Sequence, residues 1–185
     1  YWRGQIGAHP CLSFGFSKEA DITANMHESE KAQRITIRTP KGSIDVTLPL
    51  LGKHNILNTL AATAAAIAAN IDLSAIKTGI ENMIPAPGRL ELHTLANGVR
   101  IIDDTYNANP FSLQAAVDTL SHFSGKKILV LGDMKELGNE AKTLHYNAGE
   151  AIRKAGIDYL FTYGDLSRDT ALGFGDGAYH FRDRF

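Results

Sequence analysis

The sequence holds one cysteine, Cys11. An internal disulfide is therefore impossible, and the thiol content fits a reducing compartment. Excess charge is also missing, because 19 basic residues stand against 20 acidic ones and leave a net charge of −1. A chain so balanced gives no electrostatic case for binding nucleic acid or an anionic membrane. No apolar run is long enough to span a bilayer. The first residues, Tyr1-Trp2-Arg3-Gly4, include no methionine and no signal-peptide layout. The last, Arg182-Asp183-Arg184-Phe185, follow directly on an expected strand, so both ends read as cut from a longer protein.

Several chemical signatures are absent too. His9, His27, His93, His122 and His180 are scattered, and none forms a zinc-ligand spacing such as His-Glu-x-x-His. There is no Gly-x-Ser-x-Gly nucleophile elbow. There is no phosphate loop of the form G-x-x-x-x-G-K-[ST], since Gly125-Lys126-Lys127 precedes a strand instead of opening a helix. The stretch Gly132-Asp133-Met134-Lys135-Glu136-Leu137-Gly138 has the wrong glycine spacing for a dinucleotide fingerprint. A chain with these gaps can bind a nucleotide only through other elements.

The order of elements is legible. Ile35-Ile37 and Ile44-Val46-Leu48 alternate with polar residues around a turn at Pro40-Lys41-Gly42-Ser43, and Asp21 to Asn25 adds a further strand. The period then changes: Leu57, Leu60, Ala61, Ala64, Ile67, Ala68 and Ile71 follow helical spacing, and Leu73 to Met83 reads as a second helix. Pro85-Ala86-Pro87-Gly88 is the best linker. Beyond it, Leu90 to Leu95 and Val99 to Ile102 read as a hairpin around Asn97-Gly98. A helix is expected from Pro110 to about Phe123, with Leu113, Ala116, Val117 and Leu120 on one face and Gly125 ending it. Ile128-Leu129-Val130-Leu131 is a continuous apolar strand, the pattern of a parallel sheet covered on both faces. A helix carrying Ala141, Leu144, Ala148, Ile152 and Ala155 inward follows, then strand Tyr159 to Thr162, a short helix and strand Tyr179 to Phe181. The alternation gives an α/β class with a Rossmann-like unit from about residue 88.

Four segments carry the chemistry. The densest is Asp103-Asp104-Thr105-Tyr106-Asn107-Ala108-Asn109-Pro110, at the end of an apolar strand and the start of a helix, where α/β folds usually hold ligands. Asn109 as helix cap and Pro110 as first helical residue explain two of its eight positions. They leave the adjacent carboxylates unexplained, and clustered carboxylates tend to mark functional sites. Gly52-Lys53-His54-Asn55-Ile56-Leu57-Asn58 opens the alanine-rich helix. Its helix start suits a phosphate, unless Asn55 is only the cap. Arg89, in Pro87-Gly88-Arg89-Leu90-Glu91, either grips phosphate with its planar fork of donors or pairs with Glu91. In the Gly132–Gly138 loop, Asp133 stands at a strand's carboxyl end, and Glu136 is a substrate contact or a solvated residue. His145 lies at helical spacing from Ala141 and Ala148 and reads as a packing histidine.

Taken in order, Gly-x-His-Asn-x-x-Asn before an alanine-rich helix, Pro-Gly-Arg-x-Glu and an aspartate-rich strand end resemble the Mur ligases. The Asp103–Pro110 and Gly132–Gly138 segments look like those of the member that adds D-alanyl-D-alanine. The likeness runs from about Phe14 to Tyr163. It implies a partial central ATPase-type domain over residues 1–84 and a truncated Rossmann-like C-terminal domain over 85–185. It also implies a cytoplasmic enzyme that uses ATP and magnesium to join D-alanyl-D-alanine to UDP-N-acetylmuramoyl-tripeptide through an acyl phosphate. The family's phosphate loop, metal-binding acids and modified lysine have no counterpart in this sequence, so the isolated chain is expected to be inactive.

By matching motif, His54, Asn55 and Asn58 would sit at the adenosine, Arg89 at the phosphates and Asp104 at the ribose. Asp103, Tyr106, Asn107 and Asn109 would line the cleft between domains, with Asp133, Met134 and Glu136 nearer the dipeptide. None of these is expected to be a catalytic nucleophile or a metal ligand; they bind and position, and closure of the two domains completes the ATP site. Two other readings remain: a related ATP-dependent ligase such as folylpolyglutamate synthase, against which the Gly132–Gly138 loop argues, and a non-catalytic nucleotide-binding module.

Overall fold

The computed structural model describes residues 5–27 and 33–182; the chain ends discussed above lie outside these, apart from Arg182. The chain divides into two compact units, Tyr1–Pro85 and Ala86–Phe185.

In the first unit, strands β1 (Thr23–His27), β2 (Gln33–Thr39) and β3 (Gly42–Leu48) form an antiparallel sheet in that order. Ile35 pairs with Val46 and Ile37 with Ile44. The two-residue period puts Ile35, Ile37, Val46 and Leu48 on one face, where they are buried, while Arg34 and Thr47 face out. Helices α1 (Lys53–Ala68) and α2 (Leu73–Glu81) close this core with Ile56, Leu60, Ile67, Ile76 and Ile80. Each such side chain contributes about 1.5–3 kcal/mol by leaving water. Strand β3 is shielded by α2: Thr47 N–H donates to Glu81 Oε1 at 3.1 Å, and Lys77 Nζ donates to the Asp45 carbonyl at 2.6 Å.

The buried stripe of α1 differs from the apolar one. It runs Ile56, Thr59, Leu60, Thr63, Ala64, Ile67, whereas Leu57 and Ile71 are exposed. The cause is that Thr59 and Thr63 turn their hydroxyls back onto the Asn55 and Thr59 carbonyls at 2.8 Å, leaving methyl groups for the core.

The second unit opens with a hairpin, β4 (Glu91–Thr94) and β5 (Arg100–Asp103), around the expected Asn97-Gly98 turn. Helix α3 (Pro110–Ser121) follows, two residues shorter than expected, with His122 as its C-cap, so Gly125 lies in the loop beyond. Strands β6 (Ile128–Gly132), β7 (Tyr159–Tyr163) and β8 (Ala178–Phe181) form a parallel sheet, linked through α4 (Ala141–Lys154) and α5 (Ser167–Phe174). The hairpin remains a separate two-stranded sheet.

One expectation fails here. Among the described residues, the parallel sheet is covered on a single face, because Leu113 and Val117 of α3, Ile152 of α4 and Phe174 of α5 join one core with Leu131 and Leu160. The opposite face carries Ile128, Val130, Phe161, Tyr179 and Phe181, with Val130 74% exposed. Phe161 stacks on Tyr179 at 5.2 Å between ring centres.

Helix α4 buries the expected Ile152 and His145, with Ala148 and Ala155 packed against the same core, and adds Gly149 to the buried stripe. A methyl group at Gly149 would lie 2.7 Å from Phe174 N and 2.9 Å from Gly173 C, so α4 and α5 touch backbone to backbone.

Candidate functional site

The first turn of α1 is built from amides. Gly52, at φ +89°, is the N-cap and supplies no side chain, so Asn55 is not the cap. Its position at the third helical residue lets its Nδ2 donate back to the Leu51 carbonyl at 2.7 Å, while Oδ1 accepts from Asn58 Nδ2 at 3.3 Å. The one-turn spacing thus chains the two asparagines together. His54 and Asn58 are exposed, and Lys53 Nζ lies 4.9 Å from the centre of the Phe16 ring. A helix start without a side-chain cap keeps its amide donors and positive dipole end available to an anion.

In the second unit, the hairpin ladder continues past its last strand pair, Glu91 with Asp103. Leu90 N–H donates to Asp104 Oδ1 at 3.2 Å, and Tyr106 N–H donates to the Gly88 carbonyl at 3.0 Å. These two bonds clip the Pro87–Leu90 turn to the Asp103–Tyr106 loop. The fit is close enough that a Cβ on Gly88 would meet Tyr106 N at 3.0 Å and Thr105 Oγ1 at 3.1 Å. Leu90 adopts φ +51°, a strained left-handed conformation for a branched residue, and is buried.

Arg89 projects from this clip, exposed, with Cζ 4.1 Å from the centre of the Tyr106 ring. No Arg89–Glu91 ion pair forms among the described residues; Glu91 Oε1 lies 3.6 Å from His93 Nε2 instead. The adjacent aspartates separate in role. Asp104 closes the clip, while Asp103 Oδ1 accepts the Thr105 N–H at 3.1 Å. The Thr105 hydroxyl, then its N–H, hold the Asp103 carboxyl below the usual carboxylate range against a small desolvation effect, with a minor contribution from His93. Glu91, His93 and Asp103 each offer a polar atom within 4.8 Å of the others; His93 there faces two carboxylates that sit directly opposite each other across the ladder.

Farther along, Asn107 Oδ1 accepts from Ala108 N–H at 2.9 Å. Asn109 is the N-cap of α3, as expected: its Oδ1 accepts from Phe111 N–H and Ser112 N–H, both at 3.0 Å, and Ser112 Oγ accepts from Asn109 N–H. Asn109 therefore has a full structural occupation before any ligand is considered.

The Gly132–Gly138 loop is held from beneath. Met134, expected near the dipeptide, is completely buried in the core of the second unit, so a part for it there would run through the loop it anchors. Its N–H donates to His145 Nε2 at 3.0 Å, and His145 Nδ1 donates to the Ala141 carbonyl at 2.7 Å. The two partners together assign the proton to Nδ1. Asp133 Oδ1 accepts the Ser167 N–H at 2.7 Å and so anchors the start of α5; this partner, 34 residues away, is invisible to a reading of the loop alone. Glu136 stays exposed, at φ +62°.

His145 is thus the packing histidine expected from its spacing, and it also supports the loop. His145→Phe fills the space without an acceptor for Met134 N–H, and we expect a loss of about 2 kcal/mol in urea unfolding. An unchanged midpoint would show that the hydrogen bond does not hold the loop.

The sequence matches two described families: residues 88–184 match the "Mur ligase, glutamate ligase domain", and residues 2–66 the "Mur ligase middle domain". The chain is similar to UDP-N-acetylmuramoyl-tripeptide--D-alanyl-D-alanine ligase of Escherichia coli (strain K12), at 42% identity over 187 residues, covering 99% of this chain and 41% of that relative. It is 36% identical over 130 residues to UDP-N-acetylmuramoyl-L-alanyl-D-glutamate--2,6-diaminopimelate ligase of Bacillus licheniformis, covering 69% of this chain and 26% of that one. Among solved structures, a crystal structure of MurF from Acinetobacter baumannii superposes with a TM-score of 0.86 at 32% identity, covering 97% of this chain and 39% of its own. The chain spans about two-fifths of the length of the first relative.

Proposed function

We propose, since the chain belongs to the Mur ligase family, that it is the nucleotide- and dipeptide-handling part of a ligase that adds D-alanyl-D-alanine to UDP-N-acetylmuramoyl-tripeptide. The observation that carries the reading is the 42% identity to a UDP-N-acetylmuramoyl-tripeptide--D-alanyl-D-alanine ligase over 99% of this chain. In this reaction ATP phosphorylates the terminal carboxylate of the tripeptide. The amine of D-alanyl-D-alanine attacks the acyl phosphate, and a tetrahedral intermediate collapses to the amide, releasing phosphate. Catalysis rests on positioning and on stabilising charge.

The chain's own residues bind. His54, Asn55 and Asn58 take the adenosine, Arg89 the phosphates and Asp104 the ribose hydroxyls. Asp103 shapes the loop that carries Tyr106, Asn107 and Asn109. Asp133 and Glu136 belong to the dipeptide surface, with Met134 as its core support. Magnesium, when bound, neutralises phosphate charge; its acidic ligands in the family have no counterpart in this sequence, and Glu91, His93 and Asp103 are given no part in holding it. The domain boundary falls at residues 84–85 in this reading, and the compartment is the cytoplasm; no helix among the described residues is long and apolar enough to cross a membrane.

The test is substrate dependence in the complete ligase carrying this sequence. ADP release in the presence of UDP-N-acetylmuramoyl-tripeptide is expected with D-alanyl-D-alanine, and not with glutamate or diaminopimelate in its place. Release driven by glutamate alone would overturn the assignment. The isolated chain is expected to show no turnover, since it carries no phosphate loop.

A further inference from the structure

We propose that Tyr106 is a positioning residue, whose ring holds the Arg89 guanidinium in the orientation from which it meets nucleotide phosphate. The inference rests on the functional reading of Arg89 given above. An exposed arginine carries about 2 kcal/mol of rotamer entropy, so something must restrict it if it is to wait in a binding pose. Its sequence neighbour Glu91 does not, since that carboxylate lies beside His93. Tyr106 does, with its ring centre 4.1 Å from Cζ.

The choice of partner has a chemical consequence. A carboxylate would hold the guanidinium by consuming its N–H donors, usually two at a time. A ring holds the cation through its π face and offers no carboxylate oxygen to the five N–H groups. The contact therefore restricts the guanidinium while sparing N–H donors for an oxyanion.

The ring is itself well placed to do this. Tyr106 N–H is bonded to the Gly88 carbonyl, one residue before Arg89, and Asp104 Oδ1 holds the N–H of Leu90, one residue after it. Arg89 and Tyr106 are thus mounted on two segments pinned together on both sides of the arginine. Tyr106 is 69% exposed, so its side chain contributes little to any core and the clip does not need the ring to stay folded.

The experiment measures KM for ATP and kcat in the complete ligase for Arg89→Ala, Tyr106→Ala, Tyr106→Phe and the double alanine variant. Arg89→Ala is expected to raise KM for ATP about tenfold or more, the scale of a lost charged hydrogen bond. Tyr106→Ala is expected to raise it about threefold with kcat little changed, the scale of an exposed cation–π contact. Tyr106→Phe, which keeps the ring, should recover most of that loss, and Tyr106→Ala should add nothing once Arg89 is gone. If Arg89→Ala raises KM while Tyr106→Ala does not, or if the tyrosine effect persists without Arg89, the positioning role is wrong and the functional reading survives. If Arg89→Ala leaves KM unchanged, the phosphate assignment itself falls.

Discussion

Gly149→Ala should destabilise the second unit by about 3 kcal/mol, the upper range for overpacking. For a unit of this size that corresponds to a fall of roughly 12–24 °C in melting temperature. Helix propensity alone predicts the reverse sign, because alanine is favoured over glycine by about 1 kcal/mol in a helix interior. The packing decides. The added methyl would sit 2.7 Å from Phe174 N and 2.9 Å from Gly173 C, and closer still to the Thr170 carbonyl oxygen. All three are backbone atoms of α5 or its end, so no rotamer change can relieve the contact. Gly173 meets the Tyr146 carbonyl from the other side, which makes the pair mutually dependent. Gly173→Ala should therefore cost as much alone and much less when added to Gly149→Ala, because the helices need part only once. Thermal unfolding followed by circular dichroism is sufficient, and a Gly149→Ala chain that melts at or above the parent temperature would refute the packing argument.

Asp104 carries the second large effect, and two substitutions divide its roles. Asp104→Asn keeps a carbonyl oxygen where Oδ1 accepts from Leu90 N–H, so the clip and the left-handed Leu90 should persist with little change in stability. Asp104→Ala removes the acceptor from a buried residue's N–H and should cost about 1–3 kcal/mol. For ATP the two should behave alike. Ribose hydroxyls donate to a carboxylate, and loss of the charge in either variant should weaken nucleotide binding in the complete ligase by about tenfold. Full ATP affinity in Asp104→Asn would end the ribose assignment, and an Asp104→Ala chain as stable as the parent would end the structural one.

What could be read from the residues, and what could not, follows from the range of the forces involved. The Asn97-Gly98 hairpin, the Asn109-Pro110 helix start and the alternation in β2 and β3 are short-range features, and each is found where the residues put it. On α4 the packing histidine and Ile152 were legible from spacing, but Gly149 was not, because an aliphatic pattern discounts a glycine whose value is close backbone approach. The stripe of α1 was rotated because threonines that bond to their own helix behave as apolar residues. At the candidate site the motifs named the right segments but not their partners. Asp104 reaches back 14 residues to Leu90 and Asp133 forward 34 residues to Ser167, distances over which only the folded chain sets the pairing. Met134 sat in a polar loop by sequence, yet the loop folds under and delivers it to the core.

The one-sided cover of the parallel sheet among the described residues has a practical consequence for this chain. Hydrophobic dyes such as anilinonaphthalene sulfonate are used to diagnose compact states whose tertiary packing has loosened. A chain that presents Val130 and Tyr179 at 74% and 50% exposure offers such a dye an apolar surface while its core is packed on the other face. Fluorescence enhancement by this chain on its own is therefore not by itself a sign of a loosened core, and amide exchange or near-ultraviolet dichroism is the better measure of its foldedness.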